Sequence, residues 1–143
     1  MTKKMKSKVV WKGGLSFTGT SDNGFMIPLD TDKALGGHEM GFKPLQLIAI
    51  GLVGCTGMDV MSILLKKRQE ITDFEVEARI ERADTHPRVF EKIIITYAVT
   101  GRNINADAVK RAVELSETKY CPAHAMLEKS AEISHEILIN NID

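Results

Sequence analysis

The alternation of apolar and polar residues along the chain predicts six strands and three helices. Three short strands are expected first, at 5–12, beginning again at Leu15, and at 25–29, and a long helix then begins at Pro44. Alternation resumes at 74–81 and at 89–100, where Ile93, Ile95, Tyr97 and Val99 are expected to point inward. It returns at 133–139 after two helical stretches, 105–119 and 122–131, the first of which carries a stripe of Val109, Ala112, Val113 and Ser116. The order βββ-α-ββ-α-α-β indicates an α+β fold, an antiparallel sheet with helices packed on one face.

The long helix, 44–68, is apolar on nearly every side until Asp59, a pattern that predicts a central helix buried all round. Its uninterrupted apolar run, 47–58, is shorter than the roughly 18 residues that a membrane span needs, so no membrane is expected. Gly51, Gly54 and Gly57 recur at every third position, and each costs about 1 kcal/mol relative to alanine inside a helix. Such glycines are expected where another element approaches the helix closely.

Length and charge narrow the class of protein. The 143 residues fit a single domain, 1–143, that can bury its own core. With 19 basic and 19 acidic residues the formal charge is zero, which gives no reason to expect a nucleic-acid partner. No apolar signal sequence follows Met1, so the cytoplasm is the expected location. The two cysteines are then expected to be reduced thiols, or a redox or metal pair.

The two thiols lie in different local environments. Cys55 lies among the helix glycines, where either a small buried thiol or a functional one is possible. Cys121 precedes Pro122 at the N-cap of the last helix, where unpaired N–H groups favour a thiolate. Asp59, one turn beyond Cys55, is expected either to tune that thiol or, more readily, to bond a neighbouring helix end. Spacing alone does not show whether the two sulfurs meet.

Histidines near the cysteines raise a metal hypothesis. Cys121 and His124 share a helix face and, with Cys55 and His38, would complete a Cys₂His₂ zinc set. None of the usual close cysteine pairs is present, and His124 is more often a surface or satisfied interior histidine. His38 belongs to a loop, 30–43, whose length indicates either mobility or part of a site.

Four segments carry a family resemblance: GLVGCTGMDV at 51–60, THPRVF at 85–90, YAVTGRNI at 97–104 and LSETKYCPAHAMLEK at 115–129. Together they resemble the OsmC/Ohr family over essentially the whole chain. The resemblance implies an OsmC-like fold, with antiparallel sheets around a long central helix, in an intertwined homodimer with active sites at the subunit interface. It also implies thiol-dependent reduction of hydroperoxides, organic ones preferred, with no metal or organic cofactor.

By that resemblance Cys55 matches the peroxidatic position and Cys121 the resolving position. The Cys55 thiolate would attack the distal peroxide oxygen and become a sulfenic acid, which Cys121 would condense with to form a disulfide. A dithiol reductant would then restore both thiols.

The chain departs from the family's pattern in the groups that activate the thiol. The residues after Pro44 are leucine and glutamine, whereas peroxidase members have a glutamate there, and the first arginine is Arg68, whereas they carry one near the N-terminus. Glu39, or His38 beside it, and Arg88 are the candidate replacements. These departures keep two alternatives open: a non-catalytic binding protein that holds a small hydrophobic ligand at the dimer cleft, and a metal-binding dimer.

Overall fold

A computed structural model describes residues 3–143, whose contacts divide into two compact units, one up to Ile48 and one from Ala49 to Asp143. The boundary falls inside the long helix. A single domain over 1–143 stays a prediction.

The first unit contains an antiparallel three-stranded sheet. Its strands are β1 (Ser7–Gly13), β2 (Ser16–Ser21) and β3 (Met26–Leu29), in the order β1-β2-β3. Thr18 pairs with Val10 on one side and with Pro28 on the other. The three strands predicted before the long helix are confirmed.

The loop after β3 is organised by the buried carboxylate of Asp30. This carboxylate accepts a hydrogen bond of 2.7 Å from the Ser16 hydroxyl and further bonds from the backbone N–H groups of Thr31, Met40 and His38. The Ser16 bond and these amides outweigh the effect of burial and lower the pKa of Asp30 to about 2. The Asp30 carboxylate thus stabilises the loop by accepting hydrogen bonds from its backbone N–H groups.

The long helix, α1, runs Pro44–Lys66 and begins at the predicted proline. Its buried side chains form one stripe at four-residue spacing: Leu52, Thr56, Val60 and Leu64. Met58 and Leu65 are 77% and 61% exposed, so the prediction of a helix buried all round is wrong for the single chain. The elements of this chain cover one face of α1 and leave other apolar positions open.

The three helix glycines differ in their surroundings. A Cβ built on Gly57 would lie 3.4 Å from Cγ2 of Val76, so this glycine does face a neighbouring strand. A Cβ on Gly51 or Gly54 would meet nothing within 4 Å among the described residues. Among residues 3–143, the close approach predicted for all three glycines is present at Gly57 alone.

The second unit contains a mixed sheet built from β4 (Glu70–Arg82), β5 (Phe90–Arg102) and β6 (Glu132–Asn141), in the order β4-β5-β6. β4 and β5 are antiparallel, as a hairpin predicts. β6 pairs with β5 in parallel, with Tyr97 opposite Ile137, so the predicted wholly antiparallel sheet is wrong at this pair. The connection from β5 to β6 is a long helical crossover, which is the kind that parallel strands require.

Two short helices form this crossover. α2 (Ala106–Leu115) is capped by Asn105, whose side chain accepts from the N–H of Ala108, and it continues into a π-helical turn, Ser116–Tyr120. α3 follows at Pro122–Leu127. The core of the unit contains the inward stripes predicted for β5 and α2: Ile93, Ile95, Tyr97, Val99, Val109, Ala112, Val113 and Ser116.

Candidate active site

The structure brings the two cysteines together. The Sγ atoms of Cys55, on α1, and Cys121, before α3, lie within 4.8 Å of one another and of a carboxylate oxygen of Asp59. Both thiols are free, and Cys55 is half-buried whereas Cys121 is 3% exposed. The proximity that spacing alone could not show is therefore present in the second unit.

Cys121 is the N-cap of α3, and its Sγ accepts a hydrogen bond from the N–H of His124 at 3.3 Å. Burial nevertheless raises the pKa of Cys121 to about 12, helped by the neighbouring Cys55 and Asp59, against the opposing effect of the His124 amide. The expectation that the N-cap favours a thiolate here is therefore wrong. Cys121 is a protonated thiol at neutral pH because desolvation outweighs one amide.

Asp59 connects the cysteines to the end of α2. Its Oδ2 is hydrogen-bonded at 2.9 Å to the hydroxyl of Ser116, the residue that ends that helix. The predicted bond to a neighbouring helix end is confirmed. The same carboxylate lies beside both sulfurs, so the two expectations for Asp59 are compatible.

A chain of buried hydroxyls continues from Ser116. Its Oγ lies 2.7 Å from Oγ1 of Thr56, which lies 2.7 Å from the Tyr97 hydroxyl. Tyr97 in turn donates to Oε2 of Glu117 at 2.8 Å. Burial raises the pKa of Tyr97 above its ordinary value, and the Glu117 charge adds to this, so Tyr97 keeps its proton. Serine, threonine and tyrosine here are all fully buried.

Two histidines surround Glu117. Its Oε1 lies 2.9 Å from Nδ1 of His135 and 4.0 Å from Nε2 of His124. His124 is 6% exposed, its Nδ1 lies 3.4 Å from Oε2 of Glu128, and neither ring nitrogen has a hydrogen bond within residues 3–143. His124 is thus an interior histidine, but it is not the satisfied one that was expected.

A cavity of about 360 Å³ opens beside Cys121. Its lining includes the side chains of Glu117, Lys119, His124 and Glu128, so it is polar and carries charges of both signs. The cavity therefore gives small polar molecules a route toward Cys121 within this unit.

The hydrogen bonds of the two predicted activators, Glu39 and Arg88, are made to residues other than the cysteines. Glu39 belongs to the first unit, where its carboxylate accepts from the N–H of Lys33 at 3.2 Å. Arg88 lies in the β4–β5 connection, and its carbonyl accepts from Nε of Arg82 at 2.9 Å. Activation of the thiol by either residue stays a prediction.

The second unit does not assemble the predicted zinc ligands, which were the two cysteines with His124 and His38. Around the two sulfurs the described residues place the carboxylate of Asp59, and the ring of His124 is not part of that group. His38 belongs to the first unit, so its placement relative to the cysteines stays a prediction.

The polar chain of Thr56, Tyr97, Ser116 and Glu117 was missed as a site. Its signals were present in the sequence. Thr56 is a polar residue in an apolar helix, Tyr97 points inward in a strand of isoleucines, and Ser116 completes an apolar stripe. A hydroxyl at each of three core positions indicates a buried network, because buried polar groups need partners.

Comparison with known proteins matches most of the chain. A family model described as "OsmC-like protein" matches residues 36–136. Protein YhfA of Escherichia coli (strain K12) is 39% identical over 131 residues, which is 92% of this chain and 95% of that relative.

Two solved structures share the fold. The OsmC like protein from Mycoplasma pneumoniae superposes with a TM-score of 0.81 at 21% identity, over 98% of this chain and 99% of that one. The organic hydroperoxide resistance protein OhrB of Bacillus subtilis superposes with a TM-score of 0.63 at 22% identity, over 94% and 98%. At these identities the likeness concerns the fold.

Proposed function

This chain belongs to the OsmC-like protein family, and on that premise we propose that it is a thiol-dependent hydroperoxide reductase acting on organic hydroperoxides. The observation that carries the proposal is the approach of the Cys55 and Cys121 sulfurs to within 4.8 Å. The likeness to an organic hydroperoxide resistance protein in fold supports a redox role in stress, although the name YhfA states no activity.

The proposed reaction begins at Cys55. Its thiolate attacks the distal oxygen of the hydroperoxide, the O–O bond breaks, and an alcohol leaves while Cys55 becomes a sulfenic acid. Cys121 then displaces water from that sulfenic acid and forms the disulfide. The attacking species must be a thiolate, so the thiol whose pKa lies at about 12 suits the second step better than the first.

The partners of this reaction are a hydroperoxide and a dithiol reductant. The reductant restores both cysteines by thiol–disulfide exchange, and sulfur supplies all of the redox chemistry without a metal or an organic cofactor. We propose Glu39 and Arg88 as activators of the Cys55 thiol, since the family resemblance implies a carboxylate and a guanidinium in that role.

We also propose that the protein acts as a homodimer. The exposed apolar side chains of α1, among them Ile50, Met58 and Leu65, are numerous for a helix facing only water. A second copy packed on these positions would complete the burial that the apolar pattern of the helix predicts. Intertwining of the two chains belongs to this proposal.

α1 also bears on the location of the protein. By length and composition the whole helix could cross a bilayer, whereas its uninterrupted apolar run, 47–58, is too short to do so. In an OsmC-like protein this helix is the core helix of a soluble fold, which is consistent with the cytoplasmic location proposed here.

The test is the intact mass of fully reduced protein after one equivalent of cumene hydroperoxide, under non-reducing conditions. The proposal expects a loss of two hydrogens within seconds, mapped by digestion to a link between Cys55 and Cys121. An unchanged mass over many minutes would refute it. Addition of a dithiol should restore the original mass.

A second candidate function, storage of a small hydrophobic ligand, rests on a cavity in the first unit. The cavity has a volume of about 620 Å³, and its lining includes Phe25, Met26, Ile27 and Leu29. Native mass spectrometry of freshly purified protein would detect a retained ligand. A bound apolar molecule together with unreactive thiols would favour this candidate over the reductase.

A further inference from the structure

One hydrogen-bonded chain joins the carboxylate beside the cysteines to a second carboxylate. From Oδ2 of Asp59 it passes through the hydroxyls of Ser116, Thr56 and Tyr97 to Oε2 of Glu117, with successive distances of 2.9, 2.7, 2.7 and 2.8 Å. All four distances lie in the range of O–H···O hydrogen bonds. Each bond therefore requires one hydrogen.

The three hydroxyls supply one hydrogen fewer than the series of hydrogen bonds requires. Four bonds need four hydrogens, whereas the three hydroxyls supply one each. The three hydroxyls are fully buried, so a bond without its hydrogen would leave two oxygens in repulsive contact with no water to relieve them. The missing hydrogen must be carried by one of the two terminal carboxyl groups.

We infer that Asp59 and Glu117 share a single proton through the hydroxyls of Ser116, Thr56 and Tyr97. In one state the Asp59 carboxyl donates to Ser116, and every hydroxyl along the chain donates toward an anionic Glu117. In the other state all three hydroxyls turn over, so that Glu117 carries the proton and Asp59 the charge. When Asp59 loses its proton and Glu117 gains one, the negative charge moves from the Glu117 carboxylate to the Asp59 carboxylate.

The groups around the chain favour charge on Glu117. Nδ1 of His135, on β6, lies 2.9 Å from Oε1 of Glu117, and Nε2 of His124, on α3, lies 4.0 Å away. Glu128 faces the other ring nitrogen of His124. At the Asp59 end the two thiols lie within 4.8 Å of the carboxylate, and a thiol supplies no positive charge. The resting state therefore has its proton on Asp59.

This inference deepens the proposed reductase, on which its chemical use rests. When the Cys55 thiolate takes the distal peroxide oxygen, the departing alkoxide accepts the proton of Asp59 and leaves as the alcohol. Asp59, now anionic, accepts the proton of the Cys121 thiol, whose sulfur displaces hydroxide from the sulfenic acid. Asp59 returns that proton to the departing hydroxide, giving water and the disulfide. Ser116, Thr56, Tyr97 and Glu117 are positioning residues in this scheme.

The shared proton is testable without any reaction. Carbon-13 NMR of the reduced protein, labelled at the side-chain carboxyls of aspartate and glutamate, should show one protonated buried carboxyl at pH 7.5. Glu117→Gln should abolish that signal, because the amide donates to Tyr97 and the chain then needs no additional proton. If the protonation of Asp59 depended only on its immediate neighbours, Glu117→Gln would leave the Asp59 signal unchanged.

Two further variants each remove a hydroxyl from the middle of the hydrogen-bonded series. Tyr97→Phe and Thr56→Val each remove one hydroxyl and the bonds on both sides, so the remaining carboxyls need no proton and the signal should vanish. Tyr120→Phe is the matched control, since Tyr120 is exposed and outside the chain. Only ionised carboxyls in the unchanged protein, or a signal that survives Glu117→Gln and Thr56→Val in folded protein, would overturn the inference.

The two proposals fail differently. If the carboxyl proton is present but cumene hydroperoxide leaves the cysteines unoxidised, the reductase is refuted and the shared proton stands. If the disulfide forms but every carboxyl is ionised, the reductase stands and the shared proton is refuted. Where both hold, single-turnover oxidation of Cys55 in Glu117→Gln should be slowed on the order of 100-fold at pH 7.5, the usual contribution of one positioned acid. Unchanged oxidation would overturn the use assigned to the proton.

Discussion

The Cys55 and Cys121 sulfurs lie within 4.8 Å of each other, on elements that belong to distant parts of the chain. Cys55 belongs to α1, whereas Cys121 is brought beside it by the crossover between β5 and β6. A disulfide has an S–S bond of about 2.05 Å, so the two sulfurs need to approach each other by less than about 3 Å to form one. The different environments of the two sulfurs imply different roles.

Serine variants should separate those roles. Cys55→Ser is expected to leave the protein unmodified by cumene hydroperoxide, because the attacking sulfur is absent. Cys121→Ser should still react and should gain one oxygen as a trapped sulfenic acid on Cys55. Intact mass spectrometry distinguishes these products. Equal peroxide consumption by both variants would contradict the mechanism.

Cys121 should resist alkylation in the folded protein. Because burial raises the pKa of Cys121 well above its ordinary value, the thiolate is a small minority at pH 8. Iodoacetamide should therefore label half-buried Cys55 first, as mapped by peptide mass spectrometry over time. In urea the two sites should react alike. Equal labelling of both in the native protein would show that Cys121 is neither buried nor protonated as described.

Most of the fold could be predicted from alternation. The pattern Ile93, Ile95, Tyr97 and Val99 gave the buried face of β5, and the apolar stripe of α2 was equally clear. The parallel pairing of β6 was missed, because alternation identifies a strand but not the direction of its neighbour. A parallel neighbour requires a crossover of about a dozen residues or more, and the helical segment between β5 and β6 supplies one.

The site was harder to predict than the fold. The N-cap position of Cys121 is a local property and was correct, whereas its pKa depends on packing from distant elements, so the predicted thiolate was wrong. The chain from Asp59 to Glu117 joins three elements through single hydroxyls. The sequence places hydroxyls at core positions but does not show which groups they bond, because each hydroxyl could instead bond a nearby backbone group.

Thr56→Val should measure what the buried hydroxyls contribute to stability. Valine keeps the shape but removes two hydrogen bonds of 2.7 Å, while Tyr97 and Ser116 each retain one partner. We expect the free energy of unfolding to fall by about 1–3 kcal/mol in urea titrations. Thr72→Val, at an exposed threonine, is the control and should change it by less than about 0.5 kcal/mol. Equal effects at both positions would contradict a buried network.

Asp30 should make the stability of the first unit depend on acid. Its pKa is about 2 in the folded chain and near 3.9 in an unfolded one, so the folded state favours the carboxylate. The stabilisation is full above about pH 4 and is lost as the pH falls toward 2. Asp30→Asn should remove this part of the pH dependence in urea titrations, and Asp22→Asn, at an exposed carboxylate, should not. Identical pH profiles for Asp30→Asn and the unchanged protein would contradict the assignment.

Met58→Glu should weaken the proposed homodimer. The Met58 side chain is 77% exposed in the single chain, so a charge there costs little in an isolated copy but is unfavourable once a second copy covers it. Light scattering during gel filtration should show a dimer for the unchanged protein and a shift toward monomer for the variant. Lys66→Glu, at an exposed position at the end of the same helix, should leave the dimer intact. A Met58→Glu protein that remains dimeric at micromolar concentration would place the interface elsewhere, because a buried unpaired carboxylate is too costly to be retained in an apolar interface.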